Sequence, residues 1–152
     1  ANFVVEIPLL EERPVFPKRV VKVVSGEPIT GKKILLVEDE EAVAEMIAEA
    51  LEGQGQIVEI AFNGLEAREK ISLVNYDLIV SDLKMPELNG MELYQFLKQT
   101  NPPLASRILF STGDAITQET RDFLESTGNP YLMKPFAVED ILKAIQDILR
   151  SD

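Results

Sequence analysis

From Lys32 to Arg150 the chain alternates short, uninterrupted apolar runs with longer segments whose apolar residues recur at helical spacing, and it does so five times. A short apolar run suits a strand buried on both faces, whereas apolar residues at i, i+3, i+4 and i+7 suit one face of a helix. The expected strands are Ile34–Val37, Gln56–Ala61, Leu78–Val80, Ile108–Phe110 and Tyr131–Met133. Five strand–helix units in a row imply an α/β fold, with a parallel sheet covered by helices on both faces. Right-handed crossovers then make the sheet doubly wound. Such sheets hold ligands beyond the carboxyl ends of their strands, where the strand order switches.

The intervening helices are marked by their periodic residues and by their ends. Val43, Met46, Ile47, Ala50 and Leu51 form the first stripe, with Gly53 as the expected left-handed cap. Asn63 is placed to cap a second helix carrying Ala67, Ile71 and Val74, with Glu66 at the capping-box position. Met91, Leu93, Tyr94 and Leu97 mark a third; Ile116, Thr120, Phe123 and Leu124 mark a fourth that stops near Gly128. Val138, Ile141, Leu142, Ile145, Ile148 and Leu149 give the clearest stripe, read as core rather than as a binding surface.

Two segments precede this domain. Residues 1–10, from Ala1 to Leu10, read as a strand with Phe3, Val5, Ile7 and Leu9 on one face. Residues 11–31 read as a linker, because Pro14, Pro17, Pro28 and two glycines disfavour regular elements; within it Arg19–Val24 is apolar and basic and suits an extended segment. No signal-peptide pattern opens the chain, and no apolar run approaches the ~20 residues of a membrane-spanning helix.

Composition narrows the chemistry sharply. There is no cysteine and no histidine, so thiol and imidazole nucleophiles, disulfides and cysteine or histidine metal ligands are excluded. Lack of cysteine fits a reducing compartment. A net charge of −11 weighs against a nucleic-acid partner, which needs Lys and Arg for its phosphates. What remains is carboxylates, hydroxyls, lysines and backbone groups.

These residue types gather at the strand ends. Glu38, Asp39, Glu40 and Glu41 follow the first strand, Asp82 the third, Thr112 and Gly113 the fourth, and Lys134 and Pro135 the fifth. If the first and third strands are neighbours, Glu38, Asp39 and Asp82 share one crevice, with Thr112 and Lys134 on its other side. Crowded carboxylates repel, and a hard divalent cation with oxygen ligands relieves them; Mg²⁺ suits a shallow site with a few carboxylates. Taken alone, Glu38–Glu41 would read as a solvated helix start favoured by the macrodipole. Alone, Thr112 would read as a turn hydroxyl and Lys134 as a surface lysine.

The ordered set Leu36-Val37-Glu38-Asp39, Ser81-Asp82-Leu83-Lys84-Met85-Pro86 with Gly90, Phe110-Ser111-Thr112-Gly113 and Tyr131-Leu132-Met133-Lys134-Pro135-Phe136 resembles the receiver domain of two-component response regulators. The resemblance covers Lys32 to Arg150 and implies a flavodoxin-like, five-stranded parallel sheet of order 2-1-3-4-5 with five helices. It implies that Asp82 is the phosphoacceptor, that Thr112 binds a phosphoryl oxygen, and that Lys134 supplies a cation. It implies a Mg²⁺ site made by Glu38, Asp39, Asp82 and the Lys84 backbone carbonyl. It further implies a cis peptide before Pro135, and a switch in which Thr112 moves and Tyr131 turns inward, altering the face made by the fourth helix, fifth strand and fifth helix.

Two positions depart from the common pattern. Glu38 stands where many relatives have Asp, adding a methylene of reach. Lys84 lies two residues after the nucleophile, where relatives vary; it is expected to pair with Asp114 across the site mouth and slow hydrolysis of the acyl phosphate.

Ala1–Leu10 resembles the last strand of a histidine-kinase ATP-binding domain. With the linker and the receiver-like domain behind it, this suggests the C-terminal receiver of a hybrid sensor histidine kinase. The stretch has no histidine to phosphorylate and no nucleotide-binding motif, so it is not itself a kinase, although it would catalyse phosphorylation and dephosphorylation of its own aspartate. The expected partners are the dimerisation and phosphoacceptor domain of a histidine kinase and a histidine phosphotransfer protein. A homodimer through residues 1–31 is a further expectation, with no nucleic acid and no membrane contact by this stretch. The location expected is cytoplasmic, with room for a membrane-anchored parent. The alternatives are a receiver-like binding module without phosphoryl turnover, and an aspartyl-phosphate phosphatase, which would need an acid where Lys84 stands.

Overall fold

The computed structural model of the chain describes residues 28–84, 88–113 and 117–150. They contain β1 (Lys33–Val37), α1 (Glu41–Gly53), β2 (Ile57–Ala61), α2 (Gly64–Leu73), β3 (Leu78–Asp82), α3 (Gly90–Thr100), α4 (Pro102–Ala105), β4 (Ile108–Thr112), α5 (Gln118–Thr127), β5 (Tyr131–Met133) and α6 (Val138–Arg150). The five strands pair in parallel in the order β2-β1-β3-β4-β5. This is the doubly wound arrangement expected, and it makes β1 and β3 neighbours. The expected strand Ala1–Leu10, the linker up to residue 27, Pro86, Asp114 and Ile116 lie outside the described residues.

The central strands are apolar throughout because both of their faces are covered. Leu35, Val37, Ile79, Ile108 and Phe110 face α2, α3, α4 and α5, where they meet Ala67, Leu93, Tyr94, Leu97, Leu104 and Leu124. Ile34, Leu36, Leu78, Val80 and Leu109 face α1 and α6, where they meet Ala44, Ile47, Leu51, Ile141, Ile145 and Ile148. Each fully buried Leu or Ile contributes about 1.5–3 kcal/mol relative to exposure. The α6 stripe is core, as its spacing predicts. Tyr94 and Phe110 each meet Phe123 edge to face at 5.5 Å between centroids, while Tyr94 and Phe110 are tilted to one another at 6.2 Å.

The helix ends follow local chemistry, with some departures from expectation. Asn63 caps α2 by accepting from Glu66 N, but Glu66 reaches back to the Phe62 N–H rather than to Asn63. The full reciprocal box occurs at α3, between Asn89 and Glu92. Gly128 does end α5 in the left-handed region, with φ 70°. Gly53 does not end α1 that way: it lies inside the helix, Gln54 is the cap, and the positive φ of 90° falls on Gly55. The two glycines stand two residues apart, and only the later one meets a turn that requires φ > 0. The described residues also hold one helix more than the five expected, the single turn α4, opened by Asn101 and two prolines.

The strands β3 and β4 run further than their apolar residues suggest. Asp82 is the last residue of β3 and Thr112 the last of β4, so both sit within the sheet ladder rather than beyond it. Parallel pairing continues through polar residues there because the backbone still has partners: Asp82 pairs with Ser111 and Thr112 with Met133.

Candidate functional site

At the carboxyl end of the sheet, β1 and β3 lie side by side, with Val37 opposite Ser81. Glu38 and Asp39 therefore emerge beside Asp82. Each of the three offers a carboxylate oxygen, and these oxygens all lie within 4.8 Å of one another. Glu38 and Asp82 are buried, at 2% and 7% exposure, while Asp39 is open to solvent. Glu40 and Glu41 are also exposed; Glu40 is the N-cap of α1 and Glu41 lies in its first turn, so these two serve the helix start.

Lys134 joins the group from the other side. Its backbone N–H donates to Thr112 O at 2.8 Å, which fixes the end of β5 against β4. Its ammonium then reaches back to Asp82 Oδ2 at 3.0 Å and to Glu38 Oε1 at 3.3 Å. Lys134–Pro135 is a cis peptide bond, as the resemblance implied. One cation thus bridges two buried carboxylates, each of which would otherwise be poorly solvated.

The electrostatics follow from that geometry. Burial pushes the Asp82 carboxyl above its ordinary value, against the pull of the Lys134 ammonium and the Lys84 backbone N–H, and Asp39 adds to the rise. Burial likewise raises Glu38, partly countered by the Glu40 N–H, with the Asp82 charge adding to the rise. For Lys134 burial works against the charge, but hydrogen bonds and attraction from Asp82 and Glu38 outweigh it and hold its pKa above the ordinary value. A site that retains two carboxylates under this pressure is short of positive charge.

The loop beneath Asp82 is shaped by Gly90. A Cβ there would lie 2.6 Å from Asp82 O, so only glycine lets α3 start this close to the end of β3. Its N–H donates to Leu83 O at 3.0 Å. Thr112 is 5% exposed and lines a hollow of about 340 Å³ with Leu83, Lys84, Asn89, Met91, Thr117 and Thr120. A Cβ on Gly113 would meet Lys134 Cδ at 3.4 Å, ordinary contact, so this glycine is no steric requirement.

The other expected residues are placed less centrally. Tyr131, at the start of β5, is 44% exposed and lines a groove of about 430 Å³ with Arg121, Leu124, Glu125 and Met133. Lys84 is exposed; its expected partner Asp114 lies outside the described residues. Among the described residues three amides are buried without any sequence signal, Gln56, Asn129 and Gln146; Asn129 donates to Ala105 O and Ile108 O. Gln56 and Gln146 lie toward the opposite end of the strands, where a single glutamine in a helix or at a strand start carries no pattern.

The family model described as "Response regulator receiver domain" matches residues 34–146. The response regulator MprA of Mycobacterium ulcerans (strain Agy99) is 35% identical over 118 residues, covering 78% of this chain and 50% of that protein. The chain thus spans about half the length of the curated relatives it matches. Among solved structures, a CheY-like receiver domain protein from Methanospirillum hungatei JF-1 superposes with a TM-score of 0.72 at 31% identity, covering 79% of this chain and 94% of that one. The receiver domain of a signal transduction histidine kinase from Syntrophus aciditrophicus superposes with a TM-score of 0.70 at 29% identity, covering 80% and 96%. The chain belongs to the response regulator receiver domain family and carries a receiver domain of two-component signalling.

Proposed function

We propose that Asp82 takes a phosphoryl group from a phosphohistidine. The observation that carries this reading is the bridge made by Lys134 between the buried carboxylates of Asp82 and Glu38. A carboxylate oxygen of Asp82 attacks phosphorus, the P–N bond to the imidazole breaks, and the electron pair leaves with the ring nitrogen, which takes up a proton. Lys134 holds positive charge beside the reacting oxygen, and the Thr112 hydroxyl donates to a phosphoryl oxygen. Thr112 ends β4, which adjoins β3, and Lys134 follows β5, one strand beyond.

The donor set fits a hard divalent ion: three carboxylates, two of them buried, with one lysine among them. Glu38, Asp39, Asp82 and the Lys84 backbone carbonyl would hold Mg²⁺, which when bound screens the carboxylate and phosphoryl charges from one another. Glu38, with its extra methylene, suits a position where the side chain must also meet Lys134.

Lys84 modulates phosphate lifetime in this reading, paired with Asp114 over the site mouth. Lys84→Ala is then expected to dephosphorylate faster; an unchanged or slower rate rejects the role. Tyr131 is the switch residue. Its exposed ring beside the groove leaves it a path inward once Thr112 moves toward a phosphoryl group.

The parent is proposed to be a hybrid histidine kinase. The Ala1–Leu10 resemblance supports this, as does the close superposition on a receiver that is part of a histidine kinase. The curated relatives, named as response regulators and a transcriptional regulatory protein, do not support it. The partners are then a kinase phosphoacceptor domain and a histidine phosphotransfer protein in the cytoplasm, with homodimerisation through residues 1–31 as a further element. A net charge of −11 supports no nucleic-acid role for this stretch. Among the described residues no helix is long and apolar enough to cross a membrane. Intact mass after incubation with Mg²⁺ and acetyl phosphate tests the reading: one phosphoryl adduct is expected on the wild type and none on Asp82→Asn. An adduct on both, or on neither, overturns it.

A further inference from the structure

Gln56 and Gln146 close around one residue that precedes the sheet. Gln146 lies in α6, and its amide makes two bonds to the same residue: Oε1 accepts from Ile29 N at 2.9 Å and Nε2 donates to Ile29 O at 2.9 Å. Gln56, just before β2, donates its Nε2 to Ile29 O at 2.7 Å and accepts from Lys32 N at 3.0 Å. Gly31 N donates to Gly55 O at 2.8 Å, and Thr30 packs against Gly55. The Ile29 side chain packs against the core beneath α1 and α6. Both glutamines are more than nine-tenths buried, so their amides depend on this stretch of backbone for their partners.

We infer that Ile29–Lys32 is a strap that ties the chain in front of the domain to α6, so that occupancy of Asp82 and seating of the strap influence one another. The inference rests on Asp82 being the phosphoacceptor. The connection is continuous and runs along α6 from one end of the sheet to the other. Lys134, bonded to Asp82 and Glu38, is four residues before α6, and α6 carries Gln146. A phosphoryl group on Asp82 gives Lys134 a new anionic partner and alters its hold on Glu38 and Asp82. That resets the stretch that leads into α6.

The clamp is suited to respond in an all-or-none way. Because one amide bonds both the N–H and the C=O of Ile29, a shift of α6 loses both bonds together; Ile29 O keeps its bond from Gln56, while the Ile29 N–H and the Gln146 amide are left unmatched. Reciprocity then applies: a pull on the chain before residue 28 that unseats Ile29 must change the phosphorylation equilibrium by the same factor as phosphorylation changes seating. A leucine at position 146 would continue the apolar stripe of α6 without this connection.

The test is amide exchange in the full chain by NMR, with adduct formation followed by intact mass. After Mg²⁺ and acetyl phosphate, exchange at Ile29 is expected to change by about fivefold or more, and not to change in Asp82→Asn. Gln146→Met keeps the length and loses the amide; exchange at Ile29 is expected to rise about tenfold and to lose its response to phosphorylation. If that variant does not fold, Gln56→Met serves, with faster exchange expected at Lys32, whose N–H donates to Gln56, and a weakened response to phosphorylation at Ile29. An adduct on Asp82 with unchanged exchange at Ile29, or an equal response in Gln146→Met, overturns the coupling and leaves the phosphoacceptor reading standing. If no adduct forms, that reading falls and the coupling with it.

Discussion

At the carboxyl ends of the strands, two buried carboxylates share one ammonium; around the start of β1, two buried glutamines share one residue of backbone. Both are polar clusters inside an apolar fold, and they differ in how their needs are met. The glutamine cluster is neutral and its donors and acceptors are matched within the protein, which is the condition for a buried polar group to stabilise. The acidic cluster has more negative charge than its one lysine can offset, and burial pushes both carboxyls above their ordinary values. A cluster left short of positive charge is a place for something else to bind; a matched cluster holds the chain to itself.

That contrast can be broken most forcefully at Lys134. Lys134→Met should slow adduct formation from acetyl phosphate by at least ~100-fold, as loss of a positioned charge does at other reacting centres. A loss of only about threefold would place Lys134 in a structural role like that of the glutamines. The matched cluster should respond the other way. Gln146→Leu should leave small-donor phosphorylation chemically competent while lowering stability by about 1–3 kcal/mol, read as a shift of the urea midpoint at constant slope. No shift would mean that the strap is not part of the folded domain.

Asp82→Asn gives a smaller effect of opposite sign. It removes one of two crowded acids and leaves Glu38 to pair with Lys134, so stability should hold or rise by up to ~1 kcal/mol. A loss of more than ~2 kcal/mol would show that the acidic cluster was built for stability. The smallest effect is expected at Tyr131, whose ring is 44% exposed: Tyr131→Ala should change stability by about 0.5 kcal/mol or less while altering the response of the β5 face to phosphorylation. NMR shifts around β5 that follow phosphorylation equally well without the ring would remove Tyr131 from the switch.

The parts of the molecule that were legible from the chain are those with a repeated physical demand. β1, β3 and β4 are buried on both faces, and so they read as unbroken apolar runs. The α6 stripe and the left-handed Gly128 were legible for the same kind of reason. Glu38, Asp39, Asp82, Thr112 and Lys134 were legible because each falls at a strand end, and the topology brings strand ends together. Gly53 misled because two glycines bracket the end of α1 and only the backbone path decides which one turns. Gln146 was illegible because a lone polar residue within an amphipathic helix reads as its solvated edge. Its partner is 117 positions away, and nothing local encodes that distance.

Of three carboxylates whose oxygens lie within 4.8 Å, Asp82 alone is proposed to bear the phosphoryl group. Borohydride reduction of the phosphorylated chain converts an acyl phosphate to the corresponding alcohol, which peptide mass mapping then locates. The expected result is a homoserine at position 82 and unmodified acids at positions 38 and 39. A reduced side chain at Glu38 or Asp39, with Asp82 intact, would contradict the claim.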